Sequence, residues 1–139
     1  MPTDQRHATG EQQFAAAGTF LDGLAGQNFA MLATAFAPDV RLRALLPGGL
    51  REWNGVDDVG RQFERWFGDT HDYELVDATV GEVGGRLQLR WRLRLRAERL
   101  GGGWFTVEQQ AYADYGTPCG IVRLDLLCTG YRPEDAPHD

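Results

Sequence analysis

The chain has 139 residues, 42% of them hydrophobic, which fits one globular domain with a single core rather than two domains. It carries 20 acidic residues against 14 basic ones, all arginine, for a net charge of −6 at pH 7. This balance argues against a protein that coats nucleic acid, because phosphate binding needs a positive surface. No apolar run approaches the ~18 residues of a membrane helix and no signal-peptide pattern opens the sequence, so a cytoplasmic protein is expected.

Two helices are predicted in the first third of the chain. Apolar residues at three- and four-residue steps predict an amphipathic helix that ends near Gly26. These residues are Phe14, Ala17, Phe20, Leu21 and Leu24. Asn28 can cap a second, short helix that carries Leu32 and Phe36 and is stopped by Pro38.

A hairpin and a third helix follow. The alternation of Val40, Leu42 and Ala44 with arginines is typical of a half-buried strand, and a Pro-Gly-Gly turn leads to a second strand over residues 50–53. Asp57 or Asp58 can cap the third helix. The apolar face of that helix consists of Val59, Phe63, Trp66 and Phe67.

Everything after Thr70 is predicted to be β structure. Four strands are expected in a meander, over residues 71–83, 86–96, 104–115 and 121–129. Helices that precede an antiparallel sheet indicate an α+β fold in which the helices cover one face of the sheet. A single domain is predicted over residues 11–132, and the polar stretches 1–10 and 133–139 are predicted to be flexible tails.

The spacing of the cysteines and histidines does not indicate a redox or metal site. Cys119 and Cys128 fit no CxxC or metal spacing, and His7, His71 and His138 are far apart in sequence. Two reduced thiols are therefore expected, with no metal, no cofactor and no thiol nucleophile.

The clearest period-two pattern lies between Arg86 and Arg96, where apolar residues alternate with arginines and with Gln88. The arginines should point away from the core, with Glu74, Glu82 and Asp125 on neighbouring strands available as partners. An outer or subunit-facing surface is predicted rather than an anion or nucleic-acid site. Arginine stems also cover apolar surface well, so a dimer interface is compatible.

The strand from Trp104 to Tyr115 has polar residues on both faces. Glu108 and Gln110 share one face, whereas Gln109 lies on the other. The alternation alone leaves two interpretations open: Glu108 and Gln110 are outward partners of the arginines, or they face a covered pocket.

The order of elements, the junction FAPDV at residues 36–40 and the segment CTGYRP at residues 128–133 resemble the nuclear transport factor 2-like superfamily. That superfamily includes ketosteroid isomerase, scytalone dehydratase and the SnoaL-like polyketide cyclases. The resemblance spans residues 14–131 and implies a cystatin-like α+β roll. In this roll a strongly curved, mainly antiparallel six-stranded sheet wraps as a conical barrel around three helices. It also implies an apolar pocket inside the cone and a homodimer through the convex face of the sheet.

Ketosteroid isomerase is only partly matched. Its chemistry uses an aspartate base, an oxyanion tyrosine and a protonated aspartate. The positions that resemble the tyrosine and the base are Phe20 and Ala44, and neither side chain can donate or accept a proton. The position that resembles the protonated aspartate is Glu108, the one carboxylate among the three. The resemblance places Glu108 and Gln110 inward. The position that resembles the base of the SnoaL-like cyclases falls near Thr129, which is not a carboxylate either.

The predicted pocket has apolar and aromatic walls around Glu108 and Gln110, with Leu24 as a further wall residue and His71 as a further polar candidate. Its expected ligand-binding residues are Phe20, Trp53, Phe63, Trp66, Tyr73, Trp91, Glu108, Gln110, Leu126 and Cys128. An apolar cavity with a few polar groups typically binds a small molecule.

The expected function is therefore binding of a small apolar or aromatic, carbonyl-bearing molecule. The alternative is a cofactor-independent isomerase, cyclase or dehydratase. Its catalytic residue would be Glu108, whose neutral form is favoured by desolvation, acting as an acid or a base.

Overall fold

Three helices cover one face of a curved, seven-stranded sheet. The computed structural model describes residues 2–116 and 120–134, with side chains from Gly10 onward. The helices are α1 (Pro2–Ala25), α2 (Phe29–Ala33) and α3 (Val56–Phe67). The strands are β1 (Phe36–Leu46), β2 (Gly49–Asn54), β3 (Asp72–Val83), β4 (Arg86–Arg96), β5 (Trp104–Gly116), β6 (Gly120–Cys128) and β7 (Arg132–Pro133).

The strands follow the order β2-β1-β6-β5-β4-β3, and the two-residue β7 pairs with β5 outside this path. Strands β3 to β6 form the predicted meander, in which each neighbouring pair is antiparallel. Among the described strands, one pair is parallel and joins β1 to β6, so the first hairpin attaches to the sheet through the last long strand. The prediction of an α+β fold with a mainly antiparallel sheet and three helices is confirmed, with β7 added to the six strands expected.

The core lies between the helices and the inner face of the sheet. The apolar residues of β4 are all buried on this face, as their alternation predicts. Phe20 of α1 packs against Phe63 of α3 and Trp91 of β4, with ring centroids 5.4 and 5.1 Å apart. Phe36 is also in contact, its ring centroid 5.9 Å from that of Phe20. These rings fill the deep interior of the cone.

Several boundaries differ from the sequence prediction. The helix α1 begins at Pro2, so the stretch expected to be irregular up to Gly10 is helical. This stretch has no apolar periodicity to reveal a helix, although proline is favoured in a first helical turn. The remaining tail, residues 133–139, lies mostly outside the described residues.

The short helix α2 ends at Ala33, and β1 already begins at Phe36 instead of Val40. Asn28 caps α2 as predicted, since its Oδ1 accepts from Met31 N at 3.1 Å. Phe36 pairs with Ile121 of β6, and a register irregularity before Arg41 accommodates the proline within the strand.

The helix α3 begins at Val56 after Gly55, which provides no side-chain cap. The two aspartates expected as caps, Asp57 and Asp58, lie in the first turn, where their charge is favourable near the positive end of the helix dipole. None of the described helices is long and apolar enough to cross a membrane.

Candidate functional site

A cavity of about 260 Å³ lies where β1 and β6 end, next to the last turn of α3. Its apolar wall consists of Leu46, Pro47, Trp66, Phe67 and Val107. Its polar groups come from Gln109, Cys128 and Tyr131. The lining residues come from β1, α3, β5, β6 and the segments that follow β1 and β6, so the cavity exists only in the folded protein.

Gln109 on β5 is the buried polar side chain of this wall, with 1% of its surface exposed. Trp91 Nε1 donates a hydrogen bond to Gln109 Oε1 at 2.9 Å. An indole N–H is only a donor, so this bond fixes which end of the amide faces Trp91. Gln109 Nε2 is buried and has no hydrogen-bond partner among the described residues. An unsatisfied buried donor costs about 1–3 kcal/mol, so an acceptor that reached this nitrogen would gain a free energy of that order.

Cys128 lies directly opposite Gln109 on the neighbouring strand β6. Its side chain is half-buried and is a free thiol. The backbone N–H of Gly130 donates to Cys128 Sγ at 3.3 Å, which holds the sulfur at the end of the strand. The thiol and the amide therefore share one wall of the cavity.

Tyr131 ties the segment after β6 to the end of α3. Its hydroxyl donates to Trp66 O at 2.5 Å and accepts from Arg99 Nη2 at 3.2 Å. Burial raises the pKa of Tyr131, and the hydrogen bond from Arg99 opposes this only in part. The hydroxyl therefore stays protonated at neutral pH and keeps its donor role.

Glu108 and Gln110 lie on the outer face of the sheet, so their predicted place in the pocket is wrong. Their register partners on β4 are the outward-pointing Arg92 and Arg90. The Glu108 carboxylate lies 3.7 Å from Arg92 Nε and 3.9 Å from Arg90 Nε. The reason is the register: Trp91 points inward, and its partner across the strands is Gln109. The alternative interpretation, in which both residues are outward partners of the arginines, is the correct one.

The outer face carries further ion pairs of the predicted kind. Arg94 pairs with Glu74 at 3.3 Å, and Arg86 pairs with Asp125 at 2.9 Å. Glu82 forms no ion pair with a described residue. The arginine row of β4 is an outer surface, as its alternation predicts.

Most of the other predicted wall residues are core residues. Phe20, Phe63, Trp91 and Leu126 are buried away from the cavity, in the filled interior. Leu24 is also a buried core residue.

Three of the predicted residues lie nearer the surface. Trp53 packs edge-on against Trp66, with ring centroids 5.7 Å apart. Tyr73 donates to Leu24 O at 2.7 Å, and burial raises its pKa. His71 is exposed.

Of the ten predicted ligand-binding residues, Trp66 and Cys128 line the 260 Å³ cavity. Gln109 and Tyr131 were missed as site residues. Gln109 had a usable signal, because it is the polar residue that shares a face with Val107 and Ala111 on a strand beside the alternating β4. Tyr131 follows the last predicted strand and had no periodicity to place it. Within the described part of the chain, no cluster of three or more His, Cys, Asp or Glu side chains is arranged to hold a metal ion.

No protein-family model matches the chain, and no curated protein matches its sequence. Solved structures, in contrast, match over most of its length. A protein described as a polyketide cyclase from Xanthomonas campestris has a TM-score of 0.66 at 15% identity, over 84% of this chain and 90% of its own. A phenazine biosynthesis-related protein from Pseudomonas aeruginosa has a TM-score of 0.69 at 12% identity, over 86% of this chain and 76% of its own.

A third similar structure is a protein of ketosteroid isomerase-like fold from Catenulispora acidiphila, solved in complex with trimethylamine. Its TM-score is 0.62 at 13% identity, and the match covers 80% of this chain and 82% of that one. At these identities the likeness establishes the fold. The chain has the fold of the nuclear transport factor 2-like proteins, among them the SnoaL-like cyclases, as its sequence predicted.

Proposed function

We propose that the chain binds a small, apolar or aromatic molecule bearing a carbonyl group, in the cavity beside Trp66. The carbonyl oxygen would accept a hydrogen bond from Gln109 Nε2. The observation that carries this proposal is the buried amide nitrogen of Gln109, which has no partner among the described residues although the other end of the same amide is fixed by Trp91.

The chemistry of the wall supports this class of ligand. The aromatic rings of Trp66 and Phe67 and the side chains of Leu46 and Val107 offer apolar contact. Small-molecule sites are usually apolar with a few placed polar groups that fix orientation. A volume of about 260 Å³ suits a molecule with one aromatic ring and a short chain.

A binding site is favoured over an acid–base enzyme. None of the described residues that line the cavity is a carboxylate or a histidine. Glu108, on which the enzyme alternative depends, lies on the opposite face of the sheet.

Binding can be tested with 4-phenylbutan-2-one and with butylbenzene, its analogue without the carbonyl, by titration calorimetry. We expect the ketone to bind about tenfold more tightly, because a satisfied buried donor is worth about 1–3 kcal/mol. Gln109→Met should remove this difference, whereas Gln110→Met, its matched control on the outer face, should keep it. Equal affinity of the two probes for the unmodified protein, or no binding of the ketone, would contradict the proposal.

We also propose that two copies of the chain associate through the outer face of the sheet. Leu45 and Leu127 are register partners on this face and are each 49% exposed, and Leu50 beside Leu45 is 61% exposed. A groove of about 420 Å³ runs along this patch and includes Glu108 and Gln110. An apolar patch bordered by both arginines and carboxylates can pair with a second copy of itself across a two-fold axis.

A further inference from the structure

Cys128 and Gln109 form a pair of which the proposed ligand binding uses only Gln109. The two residues face each other across β5 and β6, and both line the cavity. One offers a free thiol, and the other offers an amide donor without a partner among the described residues. A nucleophile beside a buried hydrogen-bond donor is the arrangement that stabilises negative charge on a carbonyl oxygen.

A backbone hydrogen bond fixes the position of the sulfur. Gly130 N donates to Cys128 Sγ at 3.3 Å, which holds the thiol at the end of β6 beside the cavity. The side chain is half-buried at the end of β6 and lines the cavity.

We propose that Cys128 captures α,β-unsaturated carbonyl compounds covalently, with Gln109 stabilising the enolate. The inference rests on the proposed function, because the apolar wall must first bind the carbonyl compound. The thiol loses its proton to water, and the thiolate sulfur forms a bond to the β carbon. The π electrons of the carbon–carbon double bond then form the enolate, whose oxygen accepts from Gln109 Nε2. A proton from water adds to the α carbon. No group leaves, and no oxidant or reductant is needed.

The test compares two electrophiles of similar size and apolar character. Benzylideneacetone reacts through an enolate, whereas N-benzyl iodoacetamide reacts by displacement of iodide and needs no stabilised oxygen. Rates at Cys128 are measured by mass spectrometry. Tryptic cleavage after Arg123 separates the Cys119 peptide from the Cys128 peptide. Glutathione gives the ratio of the two rates for an ordinary thiol.

We expect the ratio of the benzylideneacetone rate to the N-benzyl iodoacetamide rate to be at least about tenfold higher at Cys128 than at glutathione, since a placed donor stabilises an oxyanion strongly. Gln109→Met should lower the rate with benzylideneacetone about tenfold and leave the rate with N-benzyl iodoacetamide unchanged. Gln110→Met should change neither rate, and Cys128→Ser should abolish this adduct. A ratio equal to that of glutathione, or equal slowing of both reactions by Gln109→Met, would overturn the inference.

Binding of 4-phenylbutan-2-one separates this inference from the proposed function. If the saturated ketone binds and Cys128 shows no preference for the enone, covalent capture is wrong and the binding function stands. If the ketone does not bind, the binding function itself is wrong.

Discussion

The hydrogen bond between Trp91 and Gln109 links the core to the cavity wall. Trp91 is one of the largest fully buried side chains, and its indole N–H bonds to the amide oxygen of Gln109 at 2.9 Å. The same bond leaves the amide nitrogen buried and without a hydrogen-bond partner among the described residues. A core residue thus fixes the orientation of the amide that we propose as the binding group.

Trp91→Phe should destabilise the fold by about 2–3 kcal/mol, because it leaves a cavity and removes the partner of a buried acceptor. Urea unfolding followed by circular dichroism measures this change. Trp104→Phe is the matched control. Trp104 lies on the outer face with the Arg94 guanidinium 4.1 Å from its ring centroid, and this change should cost less than about 0.5 kcal/mol. Equal losses for the two variants would show that the buried hydrogen bond contributes nothing.

The failure to predict the polar site residues has a simple physical cause. Residues 108–110 are polar in both registers, and one step along a strand exchanges its two faces. These three residues alone do not show which face of β5 is covered. The answer comes from its pairing with β4, in which Trp91 stands opposite Gln109. Pairing of this kind is a tertiary fact that periodicity within one strand does not contain.

Among the helices, the contact between α1 and α2 depends on one glycine. A Cβ on Gly23 would lie 2.6 Å from Leu32 N and 2.8 Å from Leu32 Cα, both backbone atoms. Gly18, one and a half turns earlier in α1, has nothing within 4 Å of the same position. Two glycines of one helix therefore have opposite roles.

Gly18→Ala should stabilise the protein by about 0.5–1 kcal/mol, through the higher helix propensity of alanine. Gly23→Ala should destabilise it, because the gain in propensity is smaller than the cost of separating two backbones. Thermal unfolding of both variants is the measurement. Stabilisation by Gly23→Ala would mean that α2 moves freely away from α1.

The ion pairs across β1, β4 and β6 make stability depend on pH at the acid end. Partial burial raises the pKa of Asp125, but hydrogen bonds from Arg86 and Arg43 outweigh it and hold that pKa below its ordinary value of 3.8. A lowered pKa in the folded state stabilises the protein above the unfolded-state pKa. This stabilisation is lost as the pH falls through the folded-state pKa.

Asp125→Asn should therefore lower the free energy of unfolding at pH 7 and make its decrease between about pH 4 and pH 2 less steep. Urea unfolding across this range gives both quantities. Asp39→Asn is the control, at an exposed carboxylate without an ion pair to a described residue. An unchanged acid slope for Asp125→Asn would show that its ion pairs do not contribute.

For the whole molecule, the exposed leucines of the outer face predict a dimer. Light scattering coupled to size exclusion should give twice the mass of one chain. Leu127→Asp should give the single-chain mass, because it places a charge beside Leu45 in the proposed interface. Val80→Asp, at a valine 38% exposed whose partner Leu89 points inward, should leave the dimer intact. A single-chain mass for the unmodified protein would contradict the dimer.

The architecture was more predictable than the site. The strands β3, β4 and β5 and the helix α3 follow from periodicity and turn residues. Their arrangement in an α+β roll follows from the family resemblance. The N-terminal turns of α1 and the start of β1 at Phe36 did not follow. The N-terminal turns of α1 have no apolar periodicity. The start of β1 depends on pairing with β6, which is far away in sequence.

The parallel pairing of β1 with β6 also sets an order of assembly during synthesis. Arg43 of β1 and Asp125 of β6 are register partners that lie 82 positions apart in the sequence. The hairpin of β1 and β2 therefore has no neighbouring strand until nearly the whole chain has been made. Until then, one edge of β1 and one edge of β5 stay open for pairing with other chains. A chain cut short before Gly120 would keep both edges open permanently. We expect such truncated chains to aggregate rather than to fold into a smaller cone.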